Sequence, residues 1–285
     1  MTGRSEVRLS TRVTFRAVLI WAMCLTLAAY TIGLLLQGGV THPIVDFWLS
    51  LLTSWLPAVV CWLAVSRVGF RRWEILLAAL AMTALAAGDT YYAPLTGSWS
   101  PTFPGPGDVG YMLFYLLLLV KLGVVVRREA RGRAWSVWLD CAVGSLGAAS
   151  VLAILLDPVL ASAMTGPPSL ATAVAVAYPM LDLLLVAMVA GLVALRGLRG
   201  GNRMVLLIAG LLLYAAADVI YALQVTADTY VVGKPLDALW AIGVALIARF
   251  VDGVARRDGS HARPATPPTG ATALLGAATS PRPRL

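Results

Sequence analysis

Eight stretches of about twenty predominantly apolar residues recur along the 285-residue chain, each long enough to cross a bilayer as one helix. They fall near 17–36, 47–66, 75–94, 109–126, 134–156, 169–195, 204–225 and 235–251. In lipid no water serves the backbone, so a single spanning segment must satisfy its own hydrogen bonds as a helix. The pattern predicts an all-α integral membrane protein of about eight transmembrane helices. Only 13% of the residues are charged, about half of the 25% or so usual in soluble domains.

The net charge of +8 invites a nucleic-acid reading, and the placement of the charges removes it. Arg4, Arg8, Arg12 and Arg16 precede the first run, and Arg67, Arg71 and Arg72 follow the second. Arg127, Arg128, Arg131 and Arg133 follow the fourth, Arg196, Arg199 and Arg203 the sixth, and Arg249, Arg256 and Arg257 the eighth. The alternate connections, roughly 37–45, 95–108, 157–168 and 226–234, hold a single cation, Lys234. Short loops rich in Lys and Arg stay on the cytoplasmic side, which predicts both termini inside and no nucleic-acid partner.

The first run follows a basic segment as a secretory signal would, but it is long and lacks a small-x-small cleavage site, so it reads as a retained anchor. Cys24, Cys61 and Cys141 lie within runs at unrelated spacings and read as packing residues. The expected organisation is a basic cytoplasmic N-terminus over 1–16, a membrane domain over 17–252, and a disordered tail or linker over 253–285, where Pro, Gly, Ala, Ser and Thr predominate.

An internal repeat runs through the membrane domain. At one offset of 129 residues Asp89 matches Asp218, Tyr92 matches Tyr221, Pro106 matches Pro235, Asp108 matches Asp237 and Tyr111 matches Trp240. A second echo pairs "PIVD" (43–46) with "PMLD" (179–182) at an offset of 136. Four spans per half bring both halves into the membrane in the same direction. The expectation is therefore two parallel four-helix repeats, about 17–127 and 134–252, rather than inverted ones.

Topology gathers the carboxylates of Asp89, Asp108, Asp182, Asp218 and Asp237 in the outer third of the bundle, with Tyr91, Tyr92, Tyr111, Tyr178, Tyr221 and Trp240 nearby. An aspartate at the bilayer centre costs ~2.5–3.5 kcal/mol on insertion scales, and such residues are functional-site candidates. Asp108 and Asp237 each follow a proline by two residues, where a carboxylate can equally serve as a helix cap. Asp89 and Asp218 sit near helix C-termini, where the dipole disfavours them. Their partners would be tyrosine hydroxyls, the amides opening the next span, Lys234, a cation or a proton. The candidate ligand-binding set is Asp89, Tyr92, Asp108, Tyr111, Asp182, Asp218, Tyr221, Asp237 and Trp240.

Other features point away from chemistry. Asp140 opens the fifth span as a charge serving the helix dipole, and the aromatics near span ends suit an interfacial belt. His42 and Asp46, four apart at a span entrance, suit loop-end hydrogen bonding rather than a metal. "GSLGAAS" (144–150) has the spacing of a close helix contact. There is no Walker-type loop, no H-E-x-x-H and no G-x-S-x-G, and the expected function is non-enzymatic.

The combination of "AAGDTYY", "PGPGDVGYMLFY", "AYPMLDLLLV", "AAADVIYA" and "YVVGKPLDALWAIGVALIA" resembles a multi-pass membrane domain of high-GC bacteria. In that family the domain commonly precedes cytoplasmic GGDEF and EAL domains, which make and degrade cyclic di-GMP. The resemblance covers roughly residues 15–252 and implies a sensory or regulatory input domain in a bacterial plasma membrane. Asp89, Asp108, Asp182, Asp218 and Asp237 are the matching residues. The chain departs from the pattern in having no GGDEF or EAL stretch, so cyclic di-GMP chemistry is not assigned to it. A separately encoded cytoplasmic output protein or a second copy of the chain is the expected partner.

The first functional expectation is a sensor with an outward-facing polar pocket for a small ligand or cation. The alternative is a proton- or cation-coupled transporter, which needs a polar path continuing inward, where Lys121 and Asp140 are the main polar residues. A third is a scaffold whose aspartates tie helix ends together. The sequence names no cofactor.

Overall fold

The computed structural model describes residues 3–37, 42–70, 72–93, 104–130, 135–164, 169–196, 202–227, 229–231 and 233–261. They form α1 (Gly3–Leu36), α2 (Ser50–Val68), α3 (Trp73–Tyr92), α4 (Pro106–Ala130), α5 (Trp135–Met164), α6 (Leu170–Arg196), α7 (Asn202–Thr226) and α8 (Pro235–His261). A π-helical turn, Ile44–Leu49, leads into α2. All eight helices are long and apolar enough to cross a membrane, and no strand occurs among the described residues.

The helix ends differ from the hydropathy boundaries for a simple reason: hydropathy marks where lipid begins, not where hydrogen bonding stops. α1 starts at Gly3, upstream of the expected span at 17, and α8 continues past the expected tail boundary at 252 to His261. At that end of α8, Val251, Asp252 and Ala255 still have a face to bury, which keeps the helix wound. α4 and α8 both begin on a proline, whose fixed φ suits the first helical position. Arg71, Arg131, Arg133, Arg199 and residues 262–285 of the expected tail lie outside the described residues, as do the side chains of Arg4, Arg8, Arg12, Asp140, Cys141 and Arg196.

Neighbours in sequence pack as pairs: α1 with α2, α3 with α4, α5 with α6 and α7 with α8. Between pairs, α2 packs on α3 and α6 on α7, and α2 meets α8 as α4 meets α6. The first three kinds of contact recur four helices later, and α2·α8 corresponds to α6·α4 when the first and last four helices are exchanged. One core of buried residues runs through α1, α2, α3, α4, α6, α7 and α8. The span of α8 is 61% buried and that of α5 only 11%, so α8 is a central rod and α5 a peripheral helix. Exposed Phe15, Trp21, Leu25, Val143, Leu146 and Ile154 give α1 and α5 apolar outer faces. Such faces suit a lipid environment and would be a liability in water.

Two helix pairs approach through glycine. A Cβ on Gly110 of α4 would lie 2.6 Å from the Ala84 carbonyl of α3, and one on Gly243 of α8 would lie 2.8 Å from the Gly210 carbonyl of α7. Small residues are what allow backbones to come this close. The "GSLGAAS" expectation is corrected in part: a Cβ on Gly144 or Gly147 would meet nothing within 4 Å. The contact in that segment is made by Ser145, whose hydroxyl donates to the Ala187 carbonyl of α6 at 2.8 Å. Gly110→Ala and Gly243→Ala are each expected to destabilise the bundle by about 1–3 kcal/mol through overpacking. Gly147→Ala should be neutral or stabilising, by up to about 1 kcal/mol. Thermal unfolding in detergent checks the order.

Candidate functional site

α4 carries the site because its spacing places Asp108, Tyr111 and Tyr115 at i, i+3 and i+7, on one helix face. Around that face lie Asp89 near the end of α3, Tyr178 and Asp182 on α6, Tyr214 and Asp218 on α7, and Trp240 on α8. Asp89, Tyr178, Asp218 and Trp240 lie toward the helix ends remote from the arginine-rich connections, and Asp182 and Tyr214 lie near the middle of α6 and α7.

Asp108 occupies the third position of α4, and its Oδ2 accepts from the Gly105 amide at 2.7 Å. This is the side-chain half of a capping box. The same carboxylate also accepts from the Tyr92 hydroxyl of α3 and the Tyr178 hydroxyl of α6, both at 2.6 Å. Capping and tertiary tie are therefore one arrangement, not alternatives. Asp237 repeats the cap on α8, accepting from the Gly233 amide at 2.8 Å and the Tyr230 hydroxyl at 3.3 Å. Burial, and next the nearby Asp237 charge, push the Tyr230 phenol above its usual range, so it remains a donor.

Asp89 and Asp218 find neutral donors. The Tyr111 hydroxyl donates to Asp89 at 2.8 Å, and the Trp240 indole N–H donates to Asp218 at 2.7 Å. These are equivalent positions under the 129-residue offset. Each aspartate also gains a partner outside the repeat: Ser54 of α2 for Asp89, and Tyr115 of α4 for Asp218. The Tyr115 hydroxyl lies 2.8 Å from Oδ1 of Asp182 as well, so it joins α4 to both α6 and α7.

Aromatic rings fill the spaces between these carboxylates. Tyr92 stacks on Tyr111 with centroids 5.9 Å apart, Tyr115 meets Tyr178 at 6.2 Å and Tyr214 at 6.0 Å, and Tyr221 meets Trp240 at 5.6 Å. The hydrogen bonds and rings bring together eight of the nine expected residues: Asp89, Tyr92, Asp108, Tyr111, Asp182, Asp218, Tyr221 and Trp240. Tyr221 joins through its ring, and connects onward to Tyr230, its centroid 4.6 Å away. Asp237 stands on the far side of that pair, as a capping group.

Several participants carry no motif. Ser54 is an ordinary serine in an apolar span, and Tyr115 matches Val244 under the repeat, so neither announces itself. The i, i+4 spacing from Tyr111 was the available signal for Tyr115. At the same end of the bundle, the π-helical turn holds Asp46, which accepts from the Gln37 amide group at 3.0 Å and the His42 backbone N–H at 2.6 Å. Asp46 Oδ1 and Gln37 Oε1 are both buried acceptors without a donor. A Cβ on Gly233, ahead of α8, would lie 3.1 Å from Asp46 Oδ1.

The opposite end holds ionic ties instead. Asp252 of α8 is buried and accepts two hydrogen bonds from the Arg16 guanidinium of α1, one of them at 2.6 Å, and another from Arg67 of α2 at 3.4 Å. Arg128 of α4 pairs with Glu74 of α3 at 3.2 Å, and Arg203 of α7 donates to the Gly253 carbonyl of α8 at 3.1 Å. The arginines that mark topology thus also fasten helices. Between the two ends, Lys121 of α4 is buried with its Nζ 5.1 Å from the centre of the Phe250 ring and no hydrogen-bond partner.

Tyr115→Phe leaves the buried Asp182 and the half-buried Asp218 short of a shared partner and is expected to cost about 1–3 kcal/mol. Tyr91→Phe, at an exposed ring, should stay within about 0.5 kcal/mol of wild type. Denaturation in detergent compares the two. Comparison of the chain with protein-family models, curated proteins and solved structures finds no match.

Proposed function

We propose that the protein is a non-enzymatic sensory or regulatory module of a bacterial plasma membrane, with both termini in the cytoplasm and a polar, outward-facing ligand site. The two halves are read as parallel four-helix repeats. Support comes from the equivalent Asp89–Tyr111 and Asp218–Trp240 bonds, and from helix contacts that recur four helices later. The resemblance to input domains of cyclic di-GMP signalling proteins agrees with this reading and suggests a cytoplasmic output partner or a second copy.

The observation that carries the reading is on α8. Trp240 hydrogen-bonds Asp218 at the site, and Asp252, three turns further along the same helix, is held by Arg16 and Arg67. Twelve helical residues make a rod of about 18 Å. A ligand that favours one packing around Asp218 can therefore bias the arginine end through one rigid element, provided its affinity differs between the two packings. The expected ligand is a small cation or amine. The carboxylates at the site have no cationic partner among the described residues, and Asp46 Oδ1 and Gln37 Oε1 are buried acceptors that a cation would satisfy.

A proton- or cation-coupled transporter is the second reading. Lys121 favours it, as a buried polar group between the two ends of α4.

The test is thermal unfolding of the purified protein with alkali and alkaline-earth cations and polyamines. At least one should raise the midpoint of wild type and fail to do so for Asp89→Asn/Asp218→Asn or for Asp46→Asn. Equal behaviour of wild type and both variants across the panel would remove the ligand reading. Uptake of the active cation into proteoliposomes separates transporter from sensor.

A further inference from the structure

We infer that Asp182, Tyr115 and Asp218 share one proton beyond the phenolic hydrogen, and that this proton fastens α4 to α6 and α7. A tyrosine hydroxyl has one hydrogen to donate and lone pairs to accept with. Here its oxygen is hydrogen-bonded to Oδ1 of Asp182 at 2.8 Å and to Oδ2 of Asp218. If both were ionised, one hydroxyl hydrogen would have to serve two carboxylates. One added proton completes the set: a carboxylic acid donates within the triad, and the other carboxylate accepts.

The surroundings offer no substitute for that proton. Asp182 is 3% exposed and Tyr115 1%, which closes that side of the triad to solvent, while Asp218 is half-buried. On α7 and α8 the facing groups are Tyr214, Tyr221, the Trp240 indole and Asp237; on α6 Tyr178; on α4 Asp108 and Tyr111. α3 adds Asp89, and α5, which packs on α6 and α7, adds the exposed Asp157 near its end. None of them is a cation, and Lys121 of α4 has its Nζ over the Phe250 ring, so among the described residues no cation is paired with the triad. Asp108 makes the contrast: three separate donors serve its two oxygens.

The triad is thus a proton-binding site built from three helices. When its proton leaves to solvent, two like charges face one hydroxyl in an apolar setting, and α4 is released from α6 and α7. Its position in an outward-facing site rests on the function proposed above, whereas the proton itself rests on the hydrogen-bond geometry.

Infrared spectroscopy of the purified protein at neutral pH tests this directly, through the C=O stretch of a protonated carboxyl group. Wild type should show the band and lose it as the pH is raised. Asp182→Asn and Asp218→Asn should each lack it at neutral pH, Asp108→Asn should retain it, and Tyr115→Phe should shift it. Absence of the band from wild type at neutral pH overturns the proposal without any variant, as does a band undiminished in both triad variants. A negative cation panel leaves this band in place, so the two proposals fail separately.

Discussion

A carboxylate buried among membrane helices has no water to solvate it, so its hydrogen bonds must come from neighbouring side chains. Asp108 and Asp182 share that constraint fully and the half-buried Asp89 and Asp218 in part, and most of the tertiary organisation around them follows from it. Asp89 needs Ser54 and Tyr111, which brings α2 and α4 to α3. Asp108 needs Tyr92 and Tyr178, which brings α3 and α6 to α4. Asp218 needs Trp240 and Tyr115, which brings α8 and α4 to α7. Removing any one donor leaves a polar group stranded, so the partners are held to one geometry. Close approach of α3 to α4 and of α7 to α8, through Gly110 and Gly243, places the donors within reach.

The two ends of the bundle solve the same problem with different chemistry. At the arginine-rich end, charges of both signs are available, and Asp252 is held by Arg16 and Arg67. At the other end the partners of the carboxylates are hydroxyls, amides and an indole. A site with acceptors in excess and no fixed cation suits protons or cations that come and go. The ionic end is suited to stay closed until pulled. α8 belongs to both, and its span is the most buried of the eight, which makes it the element best placed to transmit a change.

Much of this was legible in the sequence where a physical requirement leaves a periodic or repeated trace. Eight apolar runs gave the helices, because spanning a bilayer demands that length. The 129-residue offset exposed Asp89 with Tyr111 and Asp218 with Trp240, because the same contact is made in each half. The offset misled about Tyr92 and Tyr221, which occupy equivalent positions but meet different groups: the hydroxyl of Tyr92 reaches Asp108, while the ring of Tyr221 lies against Tyr230 and Trp240. Ser54 left no trace, and Tyr115 only its i, i+4 spacing from Tyr111. Their partners lie 67 and 103 residues away for Tyr115 and 35 residues away for Ser54, and long-range pairing has no local pattern. Asp252 carries no motif, although its two partners, Arg16 and Arg67, stand out in the sequence among the arginines that flank the apolar runs.

The central claim is that the state of the Tyr115–Asp218 contact reaches the arginine-rich end through α8. Spin labels at Ser66→Cys and Arg256→Cys, both exposed positions on α2 and α8, would report it in a chain whose three native cysteines are replaced. The distance distribution should differ between the otherwise wild-type chain and Tyr115→Phe, with a shifted or broadened separation in the variant. Superimposable distributions from two folded proteins would contradict the account, leaving the polar network as a structural tie with no reach beyond its own end of the bundle.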